Sequence, residues 1–320
     1  MWIVKKSFIT AVVFLIAALF SVEARAEKRI GILMFSEESR YNEAAKGMMD
    51  KLAEGGFGKP GTTFIIENAG GNKAKAAEVA QKFAEAKMDL IFTLGTSATI
   101  AVARQIKDVP IVFGVVYDPV EAGIALDWKS SGNNTTGASS QVSMSQLVNV
   151  LKKFAPVKRL AVLYTPGEKN SELQLKDIKG IQDASQIKVV PVPLAKEEDI
   201  ANILPDVART SDAIFLSGSS IVGTNVAIIV DIATKAKVPT ITHLDDLVEK
   251  GALLGVCANP YLLGRLAGEK AVKILKGAKP LSIPIESGKK LDLILNMKTA
   301  KKGQFQIPPE FMKKVTKKIQ

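Results

Sequence analysis

Two stretches of this 320-residue chain place hydroxyl side chains directly behind a glycine at the end of an apolar run: DLIFTLGTSA, Asp89 to Ala98, and DAIFLSGSSI, Asp212 to Ile221. They align without a gap, Asp89 with Asp212, Phe92 with Phe215, Gly95 with Gly218, and Thr96-Ser97 with Ser219-Ser220. Hydroxyls and free backbone N–H groups at the start of a helix offer donors to an anion such as a carboxylate. The same hydroxyls also suit plain helix capping. The rest of the inventory supports little chemistry. His243 is the only histidine and Cys257 the only cysteine, so a zinc-type cluster cannot be assembled. A Ser-His-Asp site would have to use His243, and no GxSxG nucleophile elbow accompanies it. A GxxxxGK[ST] phosphate loop is absent, and no GxGxxG follows the first apolar run. Binding without catalysis, metal or cofactor is therefore expected.

The elements that must position these hydroxyls alternate regularly. RIGILMF precedes a helical run over about Glu43 to Glu54; TTFIIENAG precedes KAKAAEVAQKFAEAK; DLIFTLG precedes the run after Thr96, and PIVFGVV follows. The series restarts at Lys158 with KRLAVLY, a helical run over about Glu168 to Gln182, KVVPVPL, a run from about Glu197 to Ala208, DAIFLSG, a run after Ser220, and VPTITHL. Near-continuous Ile, Val, Leu and Phe runs alternating with amphipathic helices imply parallel sheets covered on both faces. The expected fold is α/β, with two similar Rossmann-like lobes joined near Gly132 to Ser140. In such sheets ligands bind beyond the carboxyl ends of the strands. Two facing edges would thus form an interlobe cleft for a small molecule.

The first 26 residues read as an address. MWIVKK carries two lysines, SFITAVVFLIAALFSV is apolar, and Ala24-Arg25-Ala26 fits a small-x-small cleavage site, so a signal peptide removed after Ala26 is expected. A membrane anchor is the rival reading. No cysteine follows the run to carry a lipid. Loss of Lys5, Lys6, Arg25 and Glu23 lowers the formal charge from +11 to +9. The lysines are scattered, which reads as a solvated surface, and export argues against nucleic acid as a partner. Cys257 lacks a partner for an intramolecular disulfide and reads as a small buried residue. Aromatic residues make up 6% of the chain, which disfavours a sugar receptor.

The motifs GTSATIAVA, VPIVFGVVYDPVEAGI, GNNTTGASS, KVPTI, GALLGVCANPYLLGRLAGEKAVKILKG and LILNMKTAKKGQFQIPPEF, in this order, resemble the ABC transporter substrate-binding proteins of the tryptophan- and tyrosine-binding kind. The resemblance implies a type I periplasmic-binding-protein fold. It implies a monomeric periplasmic receptor that takes a small carboxylate-bearing solute, such as an amino acid, and delivers it to a membrane ABC permease. The alternative output is signalling to a membrane sensor kinase or cyclase. Carried over by position, it places Ser36 and Glu37 in the loop after the first strand and Thr96 and Ser97 on the ligand carboxylate. Tyr117 and Asp118 follow the fourth strand, and Ser219 and Ser220 come from the second lobe. Asn259 stands where relatives carry an acid, so Asp118, Asp245 and Asp246 are the alternatives for an ammonium partner. The resemblance implies lobes of residues 27–140 plus about 259–283, and 141–258 plus about 284–320. Crossovers are expected near Ser139 to Val142, near Cys257 to Pro260, and after the Gly264 to Gly277 helix, which should pack on the first lobe.

Overall fold

A computed structural model describes residues 27–320; the expected signal peptide and its cleavage site lie outside the described residues. The first lobe alternates β1 (Lys28–Met34), α1 (Ser39–Glu54), β2 (Thr62–Asn68), α2 (Lys73–Glu85), β3 (Leu90–Leu94), α3 (Thr96–Gln105) and β4 (Ile111–Val116), and closes with β5 (Thr135–Ser139). The second follows with α4 (Met144–Phe154), β6 (Arg159–Tyr164), α5 (Lys169–Gly180), β7 (Lys188–Pro193), α6 (Glu198–Thr210), β8 (Ala213–Leu216), α7 (Ser220–Thr224), α8 (Val226–Lys235), β9 (Thr240–Thr242), α9 (Asp245–Glu249) and β10 (Leu254–Ala258). After α10 (Pro260–Leu275) the short β11 (Glu286–Ser287) joins the first sheet. β12 (Leu291–Asn296), α11 (Met297–Lys302), α12 (Pro309–Met312) and β13 (Lys317–Ile319) complete the second lobe. Among the described residues no helix is long and apolar enough to cross a membrane.

The sheets run β11-β5-β4-β3-β1-β2 and β13-β12-β10-β9-β8-β6-β7. Each contains the doubly wound order 2-1-3-4-5, in which the chain reverses direction between its first and third strands, β1/β3 and β6/β8. Pairing is parallel apart from β10 with β12. Central strands such as β3, β4 and β8 are buried along their whole length, as their unbroken apolar sequences require. The aligned aspartates have a structural role. Asp89 accepts the backbone N–H of Arg29, and Asp212 accepts those of Lys158 and Arg159. Each carboxylate therefore fixes the start of the neighbouring first strand of its lobe.

The chain passes between the sheets at residues 140–143, at 259, and at 288–290. The last passage follows β11, a few residues beyond the 283/284 boundary read from sequence, because Glu286–Ser287 still pairs with β5. Lys270 pins this strand. Its buried ammonium donates to the Pro284 carbonyl at 2.7 Å and to Glu286 at 2.6 Å. Helix α10 packs on α1, backbone against backbone. A Cβ on Gly264 would lie 2.0 Å from the Ala44 carbonyl oxygen, and one on Gly47 2.1 Å from that of Tyr261. The first helix begins at Ser39, about one turn earlier than its apolar periodicity predicts. Its opening residues Ser39, Arg40 and Tyr41 are polar or amphipathic, and the buried faces of Arg40 and Tyr41 do not register as an apolar stripe.

Candidate functional site

The carboxyl ends of the strands at both switch points converge between the lobes. From β1 comes the loop Phe35–Glu38 leading into Arg40 and Tyr41; from β3, Gly95 leading into Thr96 and Ser97. Opposite them stand Glu168 and Asn170 after β6, and Gly218 to Ser220 after β8. Two small adjoining cavities, of about 20 and 10 Å³, lie between these edges and share Arg40, Tyr41, Thr96, Asn170 and Gly218 as walls. One end is completed by Ser36, Glu38, Ser97, Glu168 and Ser220. The other is completed by Val115, Tyr117, Ser140, Gln174, His243 and Leu244. Val115 lies at an irregularity in the β4–β5 pairing and has a φ of 55°. Such a left-handed conformation is costly for a β-branched residue and clusters at ligand clamps.

Ionic groups from both lobes meet here. Arg40, 4% exposed, contacts Glu38 on its own lobe and reaches Asp246 of the second at 2.7 Å. Burial opposes its charge, but Asp246 and Glu38 more than offset that, holding the guanidinium firmly protonated. The Glu168 carboxyl is pushed up by burial while it accepts the Ser220 N–H at 2.9 Å. Asp245 is raised to about 7, by burial first and by its neighbour Asp246 second. His243 is lowered to about 3 by burial and by Arg40, so its imidazole is neutral at physiological pH. It stacks on Phe215 with ring centroids 6.1 Å apart and meets Tyr117 edge-on at 5.5 Å. Tyr117 donates its hydroxyl across the lobes to Asp177 at 2.7 Å. Burial and Asp177 raise the phenol pKa, so that donor is retained. Four buried side-chain atoms of this region have no hydrogen-bond partner: Thr96 Oγ1, His243 Nδ1, Asp246 Oδ1 and Ser217 Oγ. Buried polar groups are ordinarily paired, so the two that belong to cavity walls, on Thr96 and His243, mark a place for a polar guest.

Helix α3 sharpens that conclusion. No side chain caps its N-terminus, leaving its first N–H groups and positive dipole end uncompensated. Over residues 29–319 the chain matches the family of ABC transporter substrate binding proteins. It belongs to that family. It is 27% identical over 283 residues to the tyrosine-binding protein of Clostridioides difficile, covering 87% of this chain and 81% of the relative. The solved ABC domain from Streptococcus pneumonia in complex with L-Trp superposes with a TM-score of 0.87 at 26% identity, covering 92% of this chain and all of that one (100%). The ligand-free, open structure of a substrate binding protein with adhesive properties from Clostridium difficile gives 0.72 at 29% identity, covering 91% and 98%. The superposition is thus better on the liganded relative than on the open one, although the open one is the more similar in sequence. The fold is that of a type I periplasmic binding protein.

Within this substrate-binding protein the residues expected from sequence separate into two groups. Ser36, Thr96, Ser97, Tyr117 and Ser220 line the cavities. Glu37 is exposed on the outer rim, where it accepts the Asn68 amide at 2.7 Å. Asp118 forms a turn: Oδ1 accepts the N–H groups of Val120 and Glu121, and Oδ2 accepts the Gln141 amide. Ser219 caps α7 through Val222, and Asn259 caps α10 through Leu262. Of the three alternative acids, none is a cavity wall; Asp246 pairs with the wall residue Arg40. Asp245 accepts the Asp246 N–H, and Asp118 is committed to its turn. Sequence reasoning missed Glu38, Arg40, Glu168, Asn170, Gln174 and the cleft position of His243. Extending the alignment of RIGILMFSEESR with RLAVLYTPGEKN pairs Glu38 with Glu168 and Arg40 with Asn170, and that was the available signal. Gly95 has φ +93°, but the side where its Cβ would stand is filled by Tyr41, whose hydroxyl would be 2.5 Å away. Its conformation therefore serves packing against Tyr41, not the close approach of a guest.

Proposed function

We propose that this substrate-binding protein is an extracytoplasmic receptor for a small zwitterion of the amino-acid type and that it serves an ABC importer. The observation that carries this reading is the orphaned hydroxyl of buried Thr96 at the uncapped start of α3, facing a cavity that also presents Glu38 and Glu168. The helix end, the Thr96 and Ser97 hydroxyls and Arg40 suit a carboxylate; Glu38, Glu168 and Asp246 suit an ammonium. A purely anionic solute would face these acids with one guanidinium, already shared between two of them. A zwitterion satisfies both signs. The names of the relatives, one tyrosine-binding and one solved with L-Trp, support the same class.

In this reading the lobes are 27–140 with 259–287, and 141–258 with 288–320. They close about the three passages between the sheets, and closure is what a membrane permease reads. The receptor acts as a monomer and returns its ligand chemically unchanged. A thermal-shift screen of the purified protein against amino acids and small carboxylates tests the class. At a hundred times its dissociation constant a ligand of the native state adds about 2.7 kcal/mol, a melting shift on the order of several degrees. Small-angle scattering of the same samples should show a smaller radius of gyration with ligand. If simple carboxylates shift the melt and no amino acid does, the zwitterion reading is wrong.

A further inference from the structure

We infer that the side-chain end of the cleft selects an amino acid with a short, uncharged, hydrogen-bonding side chain, with His243 as a specificity-determining residue. This rests on the receptor reading above and refines its ligand. The cavity end beyond Arg40 and Thr96 carries no acidic or basic side chain as a wall: it is made by Val115, Tyr117, Ser140, Gln174, His243 and Leu244, with Asn170 between the two ends. Its polar groups are amides, hydroxyls and a neutral imidazole. Such groups neither neutralise a charged side chain nor offer an apolar slot for a large ring.

The aromatic rings here are already engaged: the Tyr41 ring carries the Arg40 guanidinium 4.9 Å from its centroid. His243 has one face on Phe215 and its edge against Tyr117, and the Tyr117 hydroxyl is given to Asp177. No pair of parallel rings is left open to sandwich an indole or phenol. Asn170 and Gln174 are braced on Gly218, the first donating to its carbonyl and the second accepting its N–H. Both amides are thus held in position before a ligand arrives. His243 Nδ1, in a residue 3% exposed, has no partner. A neutral imidazole nitrogen of that kind can exchange one hydrogen bond with a hydroxyl or amide. A site built to hydrogen-bond its substrate rejects analogues that leave its buried polar groups unpaired by far more than a hydrophobic pocket can reject an extra methylene.

The test is calorimetric titration of the purified protein with L-serine, L-threonine, L-asparagine and L-glutamine, and separately with L-tryptophan and L-tyrosine. At least one of the first four should bind at least tenfold tighter than either aromatic amino acid. The variant His243→Phe keeps a ring between Phe215 and Tyr117 and removes the nitrogen; it should narrow that preference at least tenfold. Tryptophan or tyrosine binding as tightly as the polar four overturns the inference and leaves the receptor reading standing. So does a His243→Phe protein with an unchanged melt and an unchanged ranking. Failure of every amino acid sinks both. The wild-type ranking decides the matter even where the variant does not fold.

Discussion

The glycine–hydroxyl junctions of the two lobes align residue for residue, yet their donors go to different places. At the second, the Gly218 carbonyl accepts from Asn170 and its N–H donates to Gln174. Ser219 caps α7, and the Ser220 N–H is held by Glu168. At the first, α3 has no side-chain cap and Thr96 Oγ1 is unpartnered. Arg40, the counterpart of Asn170, ignores its own lobe's junction and crosses to Asp246. At this junction the second lobe has thus engaged Gly218, the Ser219 hydroxyl and the Ser220 N–H internally, while the first leaves the Thr96 hydroxyl open. The duplicated motif keeps the residue order but not the backbone: Gly95 is left-handed at φ +93°, Gly218 is not, and α7 starts one residue later than α3 does. The partners differ through the second residue of the helix that follows the first strand of each lobe, Arg40 in one and Asn170 in the other.

The largest expected consequence concerns the residues that distinguish the copies. Arg40→Met leaves the buried carboxylates of Glu38 and Asp246 without their cation, and breaking a buried ion pair in this way costs about 3–5 kcal/mol. Asn170→Ala removes a single hydrogen bond to a carbonyl at the equivalent place, for about 1–2 kcal/mol. Chemical denaturation of both variants should show that gap. Equal losses would mean that Arg40 is no more than another structural contact.

Thr96→Asp comes next. It places a carboxylate at the open junction, where the proposed ligand carboxylate sits. Repulsion and the lost donor should raise the dissociation constant of the ligand found in the screen by about a hundredfold, or about 2.7 kcal/mol. Lys107→Asp, beyond the far end of α3, should leave affinity within about twofold. Undiminished binding by a folded Thr96→Asp protein would move the carboxylate elsewhere.

The glycines themselves should separate by about 2 kcal/mol. Gly95→Ala forces an L side chain to φ +93° and sets its Cβ 2.5 Å from the Tyr41 hydroxyl, a strain of about 1–3 kcal/mol before any repacking. At Gly218 the new Cβ would meet the Asn170 and Gln174 amides and Leu244 at 3.3 Å, which small side-chain shifts accommodate. Thermal melts that rank Gly218→Ala as the more damaging would contradict this.

The fold was legible because it depends on repeated, redundant signals. Apolar runs fix strands, and the same alternation written twice fixes two lobes. Aspartates at 89 and 212 even mark equivalent strand starts. The site was half legible. Thr96, Ser97 and Ser220 follow from their place behind strand ends, whereas Ser219, Asp118 and Asn259 carry the same residue types but satisfy turns and helix ends. Capping and ligand binding use the same donors and acceptors, so residue type cannot tell them apart; the tertiary partner decides. Arg40 and His243 were hidden for a different reason. Each is a buried polar residue whose role depends on contacts more than 200 residues apart for one and on the rings of Tyr117 and Phe215 for the other.

The smallest effect isolates the structural copy most cleanly. Ser219 is 1% exposed and its hydroxyl accepts the Val222 N–H at 3.2 Å, so its work is local to the first turn of α7. Ser219→Ala deletes that cap and should cost about 1 kcal/mol of stability, within the 0.5–2 kcal/mol range of N-cap removals. Because the N–H of the cavity-wall residue Ser220 remains tied to Glu168, affinity should change by less than about twofold. The paired measurement, a melt and a titration on the same variant, separates the two roles that sequence alignment merges. A normal melt with weakened binding would show that the second junction also gives its hydroxyl to the ligand, and the division of labour between the lobes would then have to be redrawn as a shared one.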